Sequence, residues 1–284
     1  MRRAIAIAAE LEQIHTVEDL TGVFESVASI KIAKIRNRVV ASKDYFAELW
    51  QTYRGLRVDP KEQLARVTKN HNGRNVLVAV TTEGKLSGEI GNQVIEDVIA
   101  ASAGSVDTDI IVLGAHGAEQ LQQHGIKITK MFHLPETDLQ FDVTEMIATL
   151  EVYNQISVFY QTYESLRVQK VARIELVSAV RELSSEVETD AEVEILSSRD
   201  FIFEPGITEI ADYLESLMMG VALTQVLMES KLAQYASRFN AMNAAKHRAK
   251  EMGNDYSLLY HRAKRAEGDE RLKEIMKIAK GQPA

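Results

Sequence analysis

Two glycine-bearing stretches come closest to chemistry in this chain, TTEGKLSGEIG (81–91) and LGAHGAEQL (113–121). Each follows a run of β-branched and aliphatic residues, where a strand-to-helix turn could cradle a phosphate on free backbone N–H groups. Neither contains G-x-G-x-x-G or G-x-x-x-x-G-K-[ST], so tight turning is the simpler use of these glycines. The seven histidines stand at 15, 71, 116, 124, 133, 247 and 261. His116 and His124 are eight apart, a spacing that no simple metal site requires. G-x-S-x-G, H-E-x-x-H and the EF-hand loop are absent. The residues themselves therefore predict no catalytic residue, no cofactor-binding residue and no metal ligand.

The basic residues are more suggestive. Lys31, Lys34, Arg36 and Arg38 cluster early, Lys246, His247, Arg248 and Lys250 late, followed by Arg262, Lys264 and Arg265. They read either as ordinary helix-surface charge or as a ring of cations facing acidic loops on a surrounding partner. The net charge of −8 and a pI near 5.5 argue against a general nucleic-acid binder, which needs a broad basic face. The absence of cysteine rules out disulfides and thiolate chemistry and fits a reducing compartment. No apolar run approaches the ~18–20 residues that a membrane span needs. The opening MRRAIAIAAELEQ meets an acid at Glu10, too early for a signal-peptide core.

Proline placement sets out the elements. Proline is missing from 1–59 and again from 206–282, and Pro60, Pro135 and Pro205 fall between or at the edges of these tracts. Two long helical arms flanking a middle domain are expected, over 1–58 and 207–280, with the middle over 70–204. The first arm carries Leu11, Ile14, Leu20, Phe24, Val27, Ile32, Ile35, Val39, Phe46 and Leu49, mostly at steps of three and four. In the last arm Thr208 is a possible N-cap, with Glu209, Asp212 and Glu215 in the first turns. Tyr235, Phe239, Met242, Ala245, Ala249, Met252, Tyr256, Leu259, Ala263 and Ala266 then form a near-heptad stripe with one short step. A helix of about 70 residues reaches roughly 105 Å, more than a compact domain of this mass needs, so it must find a partner. The first arm, lying antiparallel, is the expected partner; a coiled coil between two copies of the chain is the alternative.

The middle changes period. Strands are expected at NVLVAV, DIIVLG, IKITKMF (126–132) and QISVFYQTYES, with VARIELV and VEILSSRDFIF also extended. Helices are expected at GEIGNQVIEDVIAAS, AEQLQQHG and DVTEMIATLEVY. Alternating strands and helices predict an open, Rossmann-like α/β sheet. The fold class is thus α/β plus a long antiparallel two-helix coiled coil made by the N- and C-terminal helices.

At residues 229–249, ESKLAQYASRFNAMNAAKHRA resembles the C-terminal signature of the gamma subunit of F-type rotary ATP synthases, E-S-K-x-S-E-x-x-A-R-M-x-A-M-x-x-A-x-x-N-A. Glu229, Ser230, Lys231, Ala236, Arg238, Ala241, Met242, Ala245 and Ala249 match it. DYSLLYHRAKRA is similar to the family's D-L-T-L-x-Y-N-x-A-R-Q-A, and ERLKEI to its E-L-x-E-I. On the first arm Thr16, Thr21, Val27, Ala28 and Lys31 match a further motif, and Thr81, Leu86, Gly88 and Asn92 match one in the middle. The chain departs from the pattern at Gly22, Ala233-Gln234, Phe239, Lys264-Arg265 and Gly268-Asp269.

The resemblance implies a non-catalytic rotor shaft that couples proton or sodium flow to ATP synthesis or hydrolysis. Its implied partners are three alpha and three beta subunits, an epsilon subunit and the membrane c-ring. It implies no nucleic acid, membrane association only through the complex, and a place on the cytoplasmic face of a bacterial cell membrane. Partner contacts are implied at Lys31, Arg238, Met242, Lys264 and Arg265, at the tip residues Leu272 and Ile275, and at Thr81 and Leu86 on the foot. A coiled-coil adaptor with a ligand-binding α/β head is the alternative from another class.

Overall fold

A computed structural model describes residues 4–56, 73–84, 90–103, 107–135, 142–180, 204 and 206–279. The chain divides into two compact units, Ser29–Ser237 and the paired ends Met1–Ala28 and Arg238–Ala284. Helices α1 (Ala4–Gly55) and α5 (Ile207–Ala279) each contribute to both units.

The larger unit is built on β1 (Asn75–Val80), β2 (Thr108–Leu113), β3 (Lys130–Phe132), β4 (Gln155–Tyr163) and β5 (Gln169–Glu175). Their order is β3-β2-β1-β4-β5. β1 pairs in parallel with both β2 and β4, and β5 returns antiparallel along β4. Side chains alternate across a strand, and here both faces are covered, which is why the strands read as unbroken aliphatic runs. Leu77, Ala79, Ile110, Val112 and Phe159 pack on α2 (Ile90–Ser102) and α3 (Ala115–Gln123). Val76, Val78, Val80, Ile111 and Val158 pack in one cluster with Ile147 and Leu150 of α4 (Thr144–Leu150), Phe46 and Tyr53 of α1, and Ala211, Met218, Leu223 and Leu227 of α5. A third cluster joins Ile35 of α1 to Met228, Leu232 and Tyr235 of α5.

Several boundaries differ from expectation. IKITKMF yields only the three-residue β3, at the edge of the sheet formed by the described strands. VARIELV leaves the sheet after Glu175 and turns helical over 176–180, burying Leu176, Ala179 and Val180. VEILSSRDFIF lies outside the described residues. α5 begins at Ile207, so Thr208 falls inside its first turn; Gly206 precedes the helix, with the Glu209 carboxylate folded back against it. A stretch of α5 is long and apolar enough to cross a bilayer by length and composition, contrary to the expectation from apolar runs, but 61% of it is buried within the protein.

In the smaller unit the two helix ends pair antiparallel as expected, on a seam shifted from the apolar stripes. On α1 the inward row is Ala4, Ile7, Leu11, Ile14, Glu18, Thr21, Glu25 and Ala28, in alternating steps of three and four. On α5 it is Met242, Lys246, Ala249, Gly253, Tyr256, Tyr260, Ala263 and Glu267. Asn243 Nδ2 donates to Glu25 Oε1 at 2.6 Å, and Lys246 Nζ donates to Oε2 at 3.0 Å. The Ala4 N–H donates to Glu267 Oε1 at 2.8 Å. Leu20, Phe24, Val27, Met252 and Leu259, all expected inside, are exposed instead. Directional polar pairs in the seam fix the register, as a buried Asn or Lys does in other coiled coils.

The hydrogen bond from Asn243, reinforced by Lys246, holds the Glu25 carboxyl below the usual carboxylate range. A depressed pKa stabilises the folded state above the unfolded value of about 4.3. That contribution is lost as pH falls through the lower folded value. Thermal melts between neutral pH and pH 3 should therefore show an acid-labile coil, and Glu25→Gln should be less stable near neutrality with a flatter acid limb. A Cβ on Gly253 would meet Ile14 and His15 at 3.7 Å, an ordinary contact. Gly253→Ala should accordingly raise stability by up to about 1 kcal/mol in denaturant titration, whereas Met252→Ala on the exposed row should change it by less than about 0.5 kcal/mol.

Candidate functional site

In an open α/β sheet, ligands bind beyond the carboxyl ends of the strands, where neighbouring connections leave in opposite directions. With β1 between β2 and β4, that place lies beyond Val80. Here the chain fills it with its own groups. Glu83 reaches the start of α3, where its Oε2 accepts the Ala115 N–H at 3.2 Å. Its Oε1 accepts the Leu134 N–H at 2.5 Å, and His133 Nδ1 stands 3.4 Å from Oε2. A carboxylate thus occupies the helix N-terminus that a phosphate would need.

Beside it the Thr81 hydroxyl donates to the carbonyls of Leu113, at 2.8 Å, and Gly114, at 3.2 Å. Gly114 has φ of 109°, and a Cβ there would come within 2.7 Å of Thr81 Oγ1. A Cβ on Gly117 would collide with the Thr81 side chain. These glycines are explained by the seating of a threonine and need no phosphate.

The remaining crevice, between β1 and β4, is closed by α5. Gln161 of β4 lies buried with Ser230 and Gln234 of α5. The Ser230 hydroxyl donates to Gln161 Oε1, and Gln234 Nε2 lies 3.2 Å from the Thr81 carbonyl oxygen. At the opposite sheet end Asp109 accepts the Tyr153 hydroxyl at 3.0 Å and pairs with Arg74 at 2.8 Å. Burial first, and Asp109 second, push the Tyr153 phenol up. Among the described residues no group of three or more histidines and carboxylates is placed to hold a metal.

The residues that the resemblance nominates for partner contact are scattered. Thr81 is only 2% exposed and is engaged inside the body. Leu86 lies outside the described residues. Lys31, Arg238 and Met242 are half-buried on α1 and α5. Lys264 is exposed with Nζ 5.7 Å from the Tyr260 ring centroid, and Arg265 Nε donates to the His261 carbonyl at 3.3 Å. Leu272 and Ile275 are 60% and 62% exposed, and Met276 and Ile278 beside them are also exposed. Lys246, expected in an outward basic cluster, pairs with Glu25 instead.

Two features escaped the sequence reading. One is the row of exposed apolar residues flanking the seam, Val17, Leu20, Phe24 and Val27 on α1. Ile14 and Val17 line a shallow groove of about 430 Å³ with Ala249, Met252 and Tyr256. The other is the polar cluster around Gln161, for which the only available signal was a glutamine inside an otherwise aliphatic-aromatic strand.

A family model described as "ATP synthase" matches residues 4–282. The ATP synthase gamma chain of Mycoplasmoides gallisepticum is 23% identical over 277 residues, covering 94% of this chain and 95% of that one. That of Ureaplasma urealyticum is 24% identical over 284 residues, covering 95% and 97%. Among solved structures, a chain of the Euglena gracilis mitochondrial ATP synthase (OSCP/F1/c-ring, rotational state 3) superposes with a TM-score of 0.63 at 14% identity, covering 97% of this chain and 94% of its own length. A chain of the Tetrahymena thermophila central stalk and c-ring gives 0.57 at 17%, covering 80% and 99%. With a family match along nearly its whole length and gamma chains as its full-length relatives, this chain belongs to the ATP synthase family.

Proposed function

We propose that this chain is the central rotor shaft of an F-type ATP synthase, the gamma subunit, and that it performs no bond-making chemistry itself. The observation that carries this reading is the antiparallel pairing of the first and last helices through a mixed seam in which apolar residues alternate with small and polar ones, Ala28, Gly253, Glu25 and Lys246 among them. That seam leaves Leu20, Phe24, Val27, Met252, Leu259 and many charges facing outward. On this reading 1–58 and 207–280 are the two arms of the shaft, and 70–204 is the foot.

Ion flow through a membrane ring turns the foot, and the asymmetric shaft drives three catalytic sites through different conformations in turn. Each elementary charge crossing contributes about 2.3 kcal/mol per 100 mV. Several crossings must therefore be accumulated for each ATP, which requires a continuous shaft that stores and passes on torque. α5 meets that requirement, running without interruption from Ile207 to Ala279. A ring of three alpha and three beta subunits surrounds the coil. The exposed Leu272 and Ile275 enter its bearing, and Lys31, Arg238, Met242, Lys264 and Arg265 face its loops. The foot, through the 81–92 region with Leu86, meets the epsilon subunit and the c-ring. The complex sits at the cytoplasmic face of a bacterial membrane, and this chain reaches the membrane only through it. ATP hydrolysis turns the shaft in reverse and pumps ions.

Affinity purification of the tagged chain from gently solubilised native membranes, followed by native mass spectrometry, tests the reading. One copy per three alpha and three beta subunits, together with epsilon and ring subunits, is expected; a free monomer or homodimer would overturn it. In the assembled complex, Lys264→Glu with Arg265→Glu should leave the melting of the chain within about 0.5 kcal/mol, since both side chains are exposed. The same pair should lower ATP synthesis several-fold in a proton- or sodium-driven vesicle assay.

A further inference from the structure

We propose that the crevice at the strand ends, occupied by ligand in other open α/β sheets, serves here as a socket that locks α5 against rotation about its own axis. Gln234, Ser230, Gln161 and Thr81 are its positioning residues. The proposal rests on the shaft reading above, because a rotational lock matters only if torque passes through this helix.

Apolar packing alone resists lifting a helix off a sheet better than it resists turning it, since burial is non-directional. Hydrogen bonds are directional and oppose turning. Ser230 and Gln234 are four residues apart and so share one face of α5. Gln234 Nε2 lies 3.2 Å from the Thr81 carbonyl oxygen, 3.2 Å from Gln161 Oε1 and 3.1 Å from Ser230 Oγ. The Ser230 hydroxyl donates to Gln161 Oε1 as well. Gln161 and Ser230 are wholly buried, and Thr81 and Gln234 nearly so, so no water competes and a broken bond leaves its partners dry and unpaired. Advancing the helix by one residue position turns it by about 100°, which would remove all of these bonds together.

The grip extends beyond one strand. Gln161 belongs to β4, and the Thr81 carbonyl that Gln234 holds extends β1. The Thr81 hydroxyl in turn clasps the end of β2 through Leu113 and Gly114. Two neighbouring strands therefore hold one face of α5, the second of them braced on β2 through Thr81, and the sheet backbone is itself one of the gripped groups. The resembling signature carries Glu at the position of Gln234. An ionised carboxylate could not donate to the Thr81 carbonyl, so the amide suits this chain's socket.

The test replaces both glutamines by apolar side chains of similar length, Gln161→Met with Gln234→Met, in the complete complex reconstituted in vesicles. ATP hydrolysis and ions moved per ATP are measured together. The expected result is an assembled complex that still hydrolyses ATP while ions moved per ATP fall several-fold. Leu227→Met, a volume-conserving change in the buried core of the same helix, serves as the control for packing loss and should keep the normal ratio. An unchanged ratio in the assembled double variant overturns the socket. Should the double variant fail to assemble, Ser230→Ala, which removes a single donor, is judged by the same ratio. Failure of the unsubstituted chain to assemble with ring subunits is a different result, and it overturns the shaft reading itself.

Discussion

Everything in this molecule depends on α5 being two kinds of helix in one. From Ala211 to Ala236 it is a core element, with Ala211, Met218, Leu223, Leu227 and Ala233 almost fully buried. From Arg238 onward it is one strand of a coil whose buried residues are few and small, Ala249 and Gly253 among them. α5 is a single unbroken helix from Ile207 to Ala279. Within the larger unit its rotational setting is held by the polar contacts at the strand ends. Within the smaller unit the bonds to Glu25 fix the register of its pairing with α1.

The architecture was legible because its signals are cheap to read. Long proline-free tracts predict long helices, and aliphatic runs between glycine turns predict buried parallel strands; both are present. The seam was less legible for a physical reason. Hydropathy selects Leu20, Phe24, Met252 and Leu259, yet the helices meet one position away, through Glu18, Thr21, Glu25, Lys246 and Gly253. Periodicity gives the spacing of a stripe but not which of two adjacent stripes faces the partner, and paired polar groups can win where they satisfy one another. The strand-end glycines posed the same difficulty. Their spacing announced a tight turn, but that Glu83 would supply the anion and Thr81 the close neighbour depends on residues brought together from β1, β2 and the segment after β3.

The inward placement of Glu25, Asn243 and Lys246 has an energetic consequence for the coil. A wholly apolar seam would bind more tightly but would tolerate register slips, since one leucine layer is much like the next. The bonds to the Glu25 carboxylate are made in one register only, so the coil trades some affinity for a defined alignment. Gly22 and Gly253 add local freedom along the same seam. A coil that must bear twist without slipping needs both properties, alignment from directional bonds and compliance from small residues.

The apolar side chains set aside by that seam remain outside, as Val17, Leu20, Phe24 and Val27 along α1. On a free monomer such a row would be a liability. Within a surrounding ring it becomes a contact surface, provided that no single contact is deep. Residues of moderate size, exposed to about half rather than projecting fully, offer shallow wells that thermal motion and modest torque can leave. The tip carries the same chemistry, since Leu272, Ile275 and Met276 lie at steps of three and four on one face of α5. Interlocking is thus concentrated where the helix meets its own sheet, in buried directional bonds, and is weak where the coil faces outward. A part that must grip one body and turn inside another needs that division.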